Sequence, residues 1–417
     1  MTGAARLFAY GGMGLPLAMV ALPVYVQVPV YYTTEVGLSL ALTGWVLFAA
    51  RLIDTVQDPW LGLWVDRLKL NGRLAVFMAL AAVLFVAAFF ALWQPQVQGN
   101  FGLAVWLALA LAGVYTLHSF LNIAYLSWGA RLSDQAQAIT RAAGWREAAG
   151  LLGVVLASAG PAWLVSSGWD QRTAMVAYSA LFSLTLMAGL WALLKLAPPW
   201  RPHSTAERVT LGQAIKTPVF RGLLIPFMLN AVAVAIPATL ALFFINDRIQ
   251  ASELAGLFLA SYFLAGAVGL PLWMKVADRV GPVRAWRLGM LLAIAAFIWA
   301  IALGAGDVIG YWVVCVLAGL ALGADLAMPP VVLARVIPLG QTPAGYYGIW
   351  SLLGKLALAV SGLLLPLLAA FSYQPGRLDS NLTALAVLYA GVPCLLKMLA
   401  WFSLTAFSRR YSKEFSL

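Results

Sequence analysis

Within "RLIDTVQDPWLGLWVDR" (residues 51–67), Arg51, Asp54 and Asp58 recur at i, i+3 and i+7 inside an otherwise apolar stretch. On a helix this spacing sets them on one face within about 10 Å of rise. Two carboxylates four residues apart lie about 6 Å from each other, and at an effective dielectric near 20 their repulsion is roughly 3 kcal/mol, about two pKa units. Both stay ionised only if something compensates them: a bound Na⁺, a shared proton, or the Arg51 guanidinium. Carboxylates with amide and hydroxyl oxygens suit a hard cation, so the chemistry this face offers is reversible cation binding, with Na⁺ at Asp54 and Asp58 the metal candidate. A fixed Arg–Asp pair that locks helices is the structural alternative.

Other charges are equally out of place. Arg146, Lys355 and Lys397 among the basic residues, and Glu147 and Asp325 among the acidic ones, also fall in apolar runs. A charge at mid-bilayer costs on the order of 3 kcal/mol, so such residues face a cavity or a partner. Asp325 precedes "MPP", which is expected to break its helix, and its expected partner is Lys355. Glu147 neutralises its neighbour Arg146, and Lys397 snorkels or pairs locally. Trp128 and Tyr125 offer flat faces on which a solute can stack, although with 17 tryptophans in the chain many must simply sit at membrane interfaces. His118 is either a packed neutral ring or a proton relay.

The elements that must hold these residues are membrane spans. The 417-residue chain is 63% hydrophobic and 10% charged, with a mean hydropathy of +0.89, far from a soluble domain. Cutting at charged and Pro/Gly/Asn-containing gaps gives twelve spans, at about 10–33, 39–65, 74–94, 101–130, 140–166, 172–196, 217–246, 253–277, 283–304, 308–337, 343–371 and 382–407. The N-terminal apolar run is too long for a signal peptide and reads as the first span. The most polar gap, "KLAPPWRPHSTAERVTLGQAIKTP", follows the sixth span, so the expected domains are 1–196 and 217–417 around a central loop at 197–216. Nineteen basic residues fall in alternate gaps and the termini against three on the other side, which places both termini in the cytoplasm. That pattern also accounts for the net charge of +11 without a nucleic-acid surface. Cys315 and Cys394 stand alone in apolar runs and read as packing residues.

"GLWVDRLKLNGR" after span 2 and "MKVADRVGPVR" after span 8 repeat an Asp–Arg pair followed by another basic residue. Twelve spans, a central loop and this doubled loop resemble the major facilitator superfamily. The resemblance implies an all-α fold of two six-helix bundles around a cavity that opens alternately to each side, with Asp66, Arg67, Asp278 and Arg279 as gating residues. Their simpler role is the stabilisation of helix C-termini by cations. "YYTTEVGLSLALTGWVLFAARLIDTVQDPWLGLWVDR" further resembles the glycoside-pentoside-hexuronide:cation symporter family, of melibiose-permease type, whose span 2 carries R-x-x-D-A-x-N-D-P. That resemblance puts the family's cation-binding aspartates on Asp54 and Asp58, its asparagine on Gln57 and its arginine on Arg51. "SFLNIAYLSWGARLSDQAQAITRAAGWREAAGLLG" is similar to the family's span 4 and the start of span 5. It implies Ser119 as a cation ligand and Asn122 and Arg146 as substrate ligands, with Trp128 and Tyr125 beside them. In "GYYGIWSLLGKLALA", Lys355 falls on a cavity lysine. The family's span 1 sugar aspartate is replaced by Met19 and its span 4 partner by Asn122.

The expected function is therefore H⁺- or Na⁺-coupled symport of a small organic solute in a bacterial inner membrane, by a monomer without cofactor. A sugar or glycoside is one cargo and a lysolipid or other amphiphile the alternative. Cation binding at Asp54 and Asp58 is expected to release Arg146 or Lys355 to the substrate. A non-transporting receptor or scaffold built on a static charge cluster is a different class of answer. No P-loop, H-E-x-x-H or G-x-S-x-G occurs, which argues against ATP-driven transport and against an enzyme.

Overall fold

The computed structural model describes residues 3–129, 132, 136–199, 211–338, 344–377 and 380–411. All of its regular elements are helical, and twelve helices among the described residues are long and apolar enough to cross a membrane. They are span 1 (Ala5–Glu35), span 2 (Leu40–Leu70), span 3 (Leu74–Leu92), span 4 (Asn100–Gly129), span 5 (Trp145–Ser166), span 6 (Gln171–Lys195), span 7 (Pro218–Ile249), span 8 (Ser252–Val280), span 9 (Pro282–Ala302), span 10 (Val308–Val336), span 11 (Tyr346–Ala370) and span 12 (Leu382–Tyr411). The chain divides into two compact units, Met1–Ser204 and Thr205–Leu417.

In the first unit, Ser39 starts span 2 by accepting the Leu42 amide, and Arg67 and Lys69 close it where cations oppose the helix dipole. Span 1 is less regular. Its α-helical pieces alternate with π turns at Pro23–Gln27 and Tyr31–Glu35, in a segment where Pro23 and Pro29 remove backbone donors. The wide turn at its end buries both tyrosines, Tyr31 donating to the Trp93 carbonyl at 2.9 Å and Tyr32 to that of Leu92 at 2.8 Å. Span 1 is thereby tied to the end of span 3. Phe85 and Phe89 of span 3 pack on Phe182 of span 6 in tilted and edge-on contacts.

In the second unit, spans 8 and 10 approach backbone to backbone. A Cβ on Gly319 would fall 2.2 Å from the Tyr262 carbonyl oxygen, and one on Gly323 would fall 2.7 Å from the Gly269 carbonyl carbon. Small residues permit this approach, and lipid supplies no hydrophobic force to replace it. The core below gathers Phe220, Trp286, Met290, Met328, Tyr346, Leu404 and Phe407. Span 7 ends in another π turn, Phe244–Ile249, closed by Gln250 in the left-handed region at φ 58°. There Asp247 accepts the Tyr373 hydroxyl and the Gly376 amide. Span 10 corrects the expected break: it runs as one α-helix from Val308 to Val336 through Pro329 and Pro330. Neighbouring membrane helices support the turn whose hydrogen bonds the prolines remove.

Candidate functional site

Span 2 is wrapped in exposed apolar side chains on one side, with Leu52, Ile53, Val56 and Trp60 outward. Its opposite face carries Arg51 and Asp54, buried at 5% and 2% exposure. The helical spacing does what it implies locally: Arg51 Nη1 lies 3.1 Å from Asp54 Oδ2. The Arg51 guanidinium is thus one compensation that Asp54 has within its own helix. Gln57, a further turn on, donates from Nε2 to Asp54 Oδ1 at 3.3 Å.

Span 4 completes the layer. Ser119 Oγ donates to Asp54 Oδ1 at 2.8 Å, and Thr116 Oγ1 donates to Gln57 Oε1 at 2.8 Å. The Arg51 guanidinium carbon lies over the ring of Tyr115, one residue before Thr116, at 4.0 Å from its centroid, and over that of Tyr25 of span 1 at 3.9 Å. A desolvated cation over two aromatic rings is held by their quadrupoles, which offsets part of the cost of burying it. Arg51, Asp54, Gln57 and Ser119 are thus brought into one layer joining spans 1, 2 and 4. Asp58 lies one turn beyond Asp54 and is half-buried, as is Asn122 one turn beyond Ser119. Tyr25, Tyr115 and Thr116 join the expected site residues as additions. The spacing of Tyr115, Thr116 and Ser119 on span 4 carries the same helical signal that marks span 2.

Other expected site residues have different partners. Tyr125 is buried and donates to the carbonyls of Tyr10 at 3.0 Å and Gly11 at 3.3 Å, spending its hydroxyl on the packing of span 4 against span 1. Trp128 donates its indole N–H to the Pro198 carbonyl at 2.9 Å, and Lys69 Nζ lies 5.6 Å from its ring. Arg146 does not take its carboxylate partner from span 2. Its Nη2 and Nε both donate to Glu147 Oε1, at 2.5 and 3.2 Å, because the adjacent residue reaches it without crossing between helices. Arg67, Asp278 and Arg279 are exposed at the ends of spans 2 and 8, and the side chain of Asp66 lies outside the described residues.

The second unit contains its own buried charge network, and it corrects two expectations. The partner of Asp325 is Lys397 of span 12, not Lys355: Lys397 Nζ lies 2.7 Å from Asp325 Oδ2, with side-chain exposures of 2% and 5%. Lys397 therefore neither snorkels nor pairs locally. Asn230 of span 7 bridges the pair, donating to Asp325 Oδ1 at 3.0 Å and accepting from Lys397 at 2.9 Å. Trp286 of span 9 donates to the same carboxylate oxygen at 3.2 Å. Four spans meet on one ion pair. Lys355 is half-buried on span 11.

Among the described residues, no group of three or more His, Cys, Asp or Glu side chains could hold a metal ion. Asp54 and Asp58 offer two carboxylates with Gln57 and Ser119 oxygens nearby, a donor set that suits a weakly held monovalent ion or a proton.

A family model described as "MFS/sugar transport protein" matches residues 7–408. The inner membrane symporter YicJ of Escherichia coli (strain K12) is 22% identical over 259 residues, 60% of this chain and 55% of that protein, so the match spans about half of the relative's length. Among solved structures, a bacterial homologue of the human lysosomal transporter Spinster, in an inward-facing and occupied conformation, superposes with a TM-score of 0.68 at 17% identity, covering 99% of this chain and 97% of that one. The nucleoside transporter NupG gives 0.69 at 14% identity, covering 97% and 100%. A bacterial homologue of the iron transporter ferroportin gives 0.65 at 15% identity, covering 98% and 100%. At these identities the structural likeness establishes the major facilitator fold. With twelve apolar helices and a family match over nearly its whole length, the chain is an integral membrane protein that belongs to the MFS/sugar transport protein family, a family of transporters and not of enzymes.

Proposed function

We propose that this protein is a secondary active symporter in which a gradient of H⁺ or Na⁺ drives uptake of a small organic solute by alternating access, across a bacterial inner membrane with both termini in the cytoplasm. The carrying observation is the Arg51–Asp54–Gln57–Ser119 layer. Its carboxylate Asp54 is already compensated by a cation of the protein itself. Asp58, the second acid of the pair, lies one turn beyond on the same helix, and this pair of acids is where the coupling cation or proton would bind and leave. That is the switchable charge that coupling needs, since a ligand shifts a conformational equilibrium only through its differential affinity for the two states. The family's description supports a sugar or glycoside as the solute, and the similarity to the symporter YicJ supports symport; Asn122 and Arg146 are the expected polar contacts in the first unit.

A second cargo is favoured by one feature of span 1. Met19 is fully buried and accepts a contact from Thr185 Oγ1 at 3.4 Å, so span 1 offers no carboxylate at this position. Fewer fixed acceptors suit an amphiphile such as a lysolipid over a polyhydroxylated solute. Melting of the purified protein with sugars, sugar acids, lysolipids and Na⁺ at several pH values separates the two cargoes. With the stabilising solute in hand, Asp58→Asn in proteoliposomes is expected to abolish gradient-driven accumulation while solute exchange persists. Normal accumulation by that variant overturns the coupling role of Asp58. The absence of stabilisation by any solute or ion would favour a receptor or scaffold.

A further inference from the structure

The ends of spans 9 and 12 that the positive-inside bias assigns to the cytoplasm are both basic, with Arg284 and Arg287 on the first turns of span 9 and Arg409 and Arg410 on the last turn of span 12. Arg287 reaches across to span 12 and lies over Trp401, its guanidinium carbon 4.4 Å from the ring centroid. Two N–H donors at this contact, Arg287 Nε and Trp401 Nε1, are closed off from water and have no acceptor among the described residues. Leaving such a donor unsatisfied costs roughly 1–3 kcal/mol each, and native structures rarely tolerate two at one place.

Charge points the same way. The ionic neighbours that act on Arg287 are Arg284 and Arg409, both of its own sign. Neither Arg284 nor Arg287 forms a salt bridge among the described residues. Lys397, one turn deeper on span 12, supplies no relief, because its charge is matched by Asp325. Among the described residues, Arg284 and Arg287 have no anion.

What surrounds them says which anion. Deeper along the same two helices, Leu288 and Leu291 on span 9 and Leu395, Leu399 and Phe402 on span 12 are exposed. This apolar strip meets bilayer hydrocarbon and offers a track for acyl chains. A ligand that fits both parts has an anionic, oxygen-rich head and an apolar body. We propose that the cleft between spans 9 and 12 binds the phosphate headgroup of an anionic phospholipid, with Arg287 and Trp401 donating to phosphate oxygens and Arg284 supplying further positive field. Basic pockets between helices at the cytoplasmic surface recognise lipid headgroups in this way, and the guanidinium fork is matched to phosphate.

The test uses the full-length protein in detergent, titrated with dioleoylphosphatidylglycerol, dioleoylphosphatidylcholine or inorganic phosphate. Native mass spectrometry counts the lipids retained and melting measures stabilisation. Phosphatidylglycerol is expected to be retained in preference to phosphatidylcholine and to raise the melting midpoint more. Arg284→Gln, an exposed position, is expected to weaken phosphatidylglycerol retention about fivefold, the effect of one basic residue near an anionic surface. Arg287→Gln and Trp401→Phe, which keeps the ring and removes the donor, should each weaken it by a similar or larger factor without changing phosphatidylcholine. Equal retention of the two lipids by the unmodified protein, or unchanged phosphatidylglycerol retention in the variants, overturns the proposal. Stabilisation by inorganic phosphate alone to the same extent, lost in the same variants, overturns it in favour of a soluble anion. If Arg287→Gln does not fold, Arg284→Gln and Trp401→Phe decide the outcome.

Discussion

Replacing Lys397 by Met tests how the second unit is held together. At 2.7 Å from Asp325 and an effective dielectric near 20, the gross attraction is roughly 6 kcal/mol, against a desolvation penalty of several kcal/mol for each ion. The pair as a whole contributes little net stability; breaking it is what costs. Lys397→Met strands the Asp325 carboxylate with two neutral donors, Asn230 and Trp286, and the expected loss is about 3–5 kcal/mol. Asp325→Asn leaves the ammonium with neutral oxygens alone, that of Asn230 and that of the amide it introduces, and should cost about as much. The double variant restores neutrality and keeps an oxygen for the Trp286 and Asn230 donors, so it should be more stable than the sum of the single losses predicts by at least about 2 kcal/mol. Unfolding in mixed micelles, followed by far-UV circular dichroism as the fraction of denaturing detergent rises, gives all four stabilities. Losses that add to within about 0.5 kcal/mol, or a single loss below about 1 kcal/mol, would refute the reading of this network as a mutually dependent ion pair.

Two further predictions concern the first unit. Gly129→Ala would set a Cβ 2.0 Å from the Tyr10 hydroxyl oxygen and 2.7 Å from the ring carbon that bears it; the expected loss is about 1–3 kcal/mol. Tyr10→Phe in the same chain should recover part of it, and a melting curve showing no loss or no recovery would contradict the close approach of spans 1 and 4. Asp170 caps span 6 by accepting the Thr173 amide at 2.9 Å, and this hydrogen bond holds its carboxyl below the ordinary value of 3.8. Because the folded-state pKa is the lower one, the cap's contribution is complete above about pH 4 and fades as pH falls through the depressed value. Asp170→Asn keeps a capping oxygen that does not titrate, so the stability difference between the two proteins should change on acidification. A difference that stays constant from pH 7 to pH 3 would exclude the linkage.

Helical spacing alone makes the span 2 face legible in the sequence, since Arg51 and Asp54 belong to one helix and their distance follows from the rise per residue. The pairing of Asp325 is not legible in the same way. Sequence gives the depth and face of a residue on its own span, but which span lies opposite is a property of packing. Lys355 and Lys397 are both available within the second half, and contact among spans 7, 9, 10 and 12 selects Lys397. The partners of aromatic residues are hidden for a related reason. The rings of Tyr125 and Trp128 are visible in the sequence, whereas the carbonyls of Tyr10, Gly11 and Pro198 that receive their polar tips are not. Pro329 and Pro330 mark a break by local rules, yet span 10 stays helical.

The π turns of spans 1, 7 and 12 bear on how this chain can change length. An α-helix turns about 100° per residue, so a residue deleted from a uniform span rotates everything beyond it away from its neighbours. A π turn already holds a surplus residue relative to α geometry. Losing one residue between Tyr31 and Glu35 would relax that turn to α-helix, keeping the backbone hydrogen-bonded while altering the outlook of only the last few side chains before the loop. A one-residue deletion in such a segment is expected to be tolerated better than the same deletion in a uniform α-helical span.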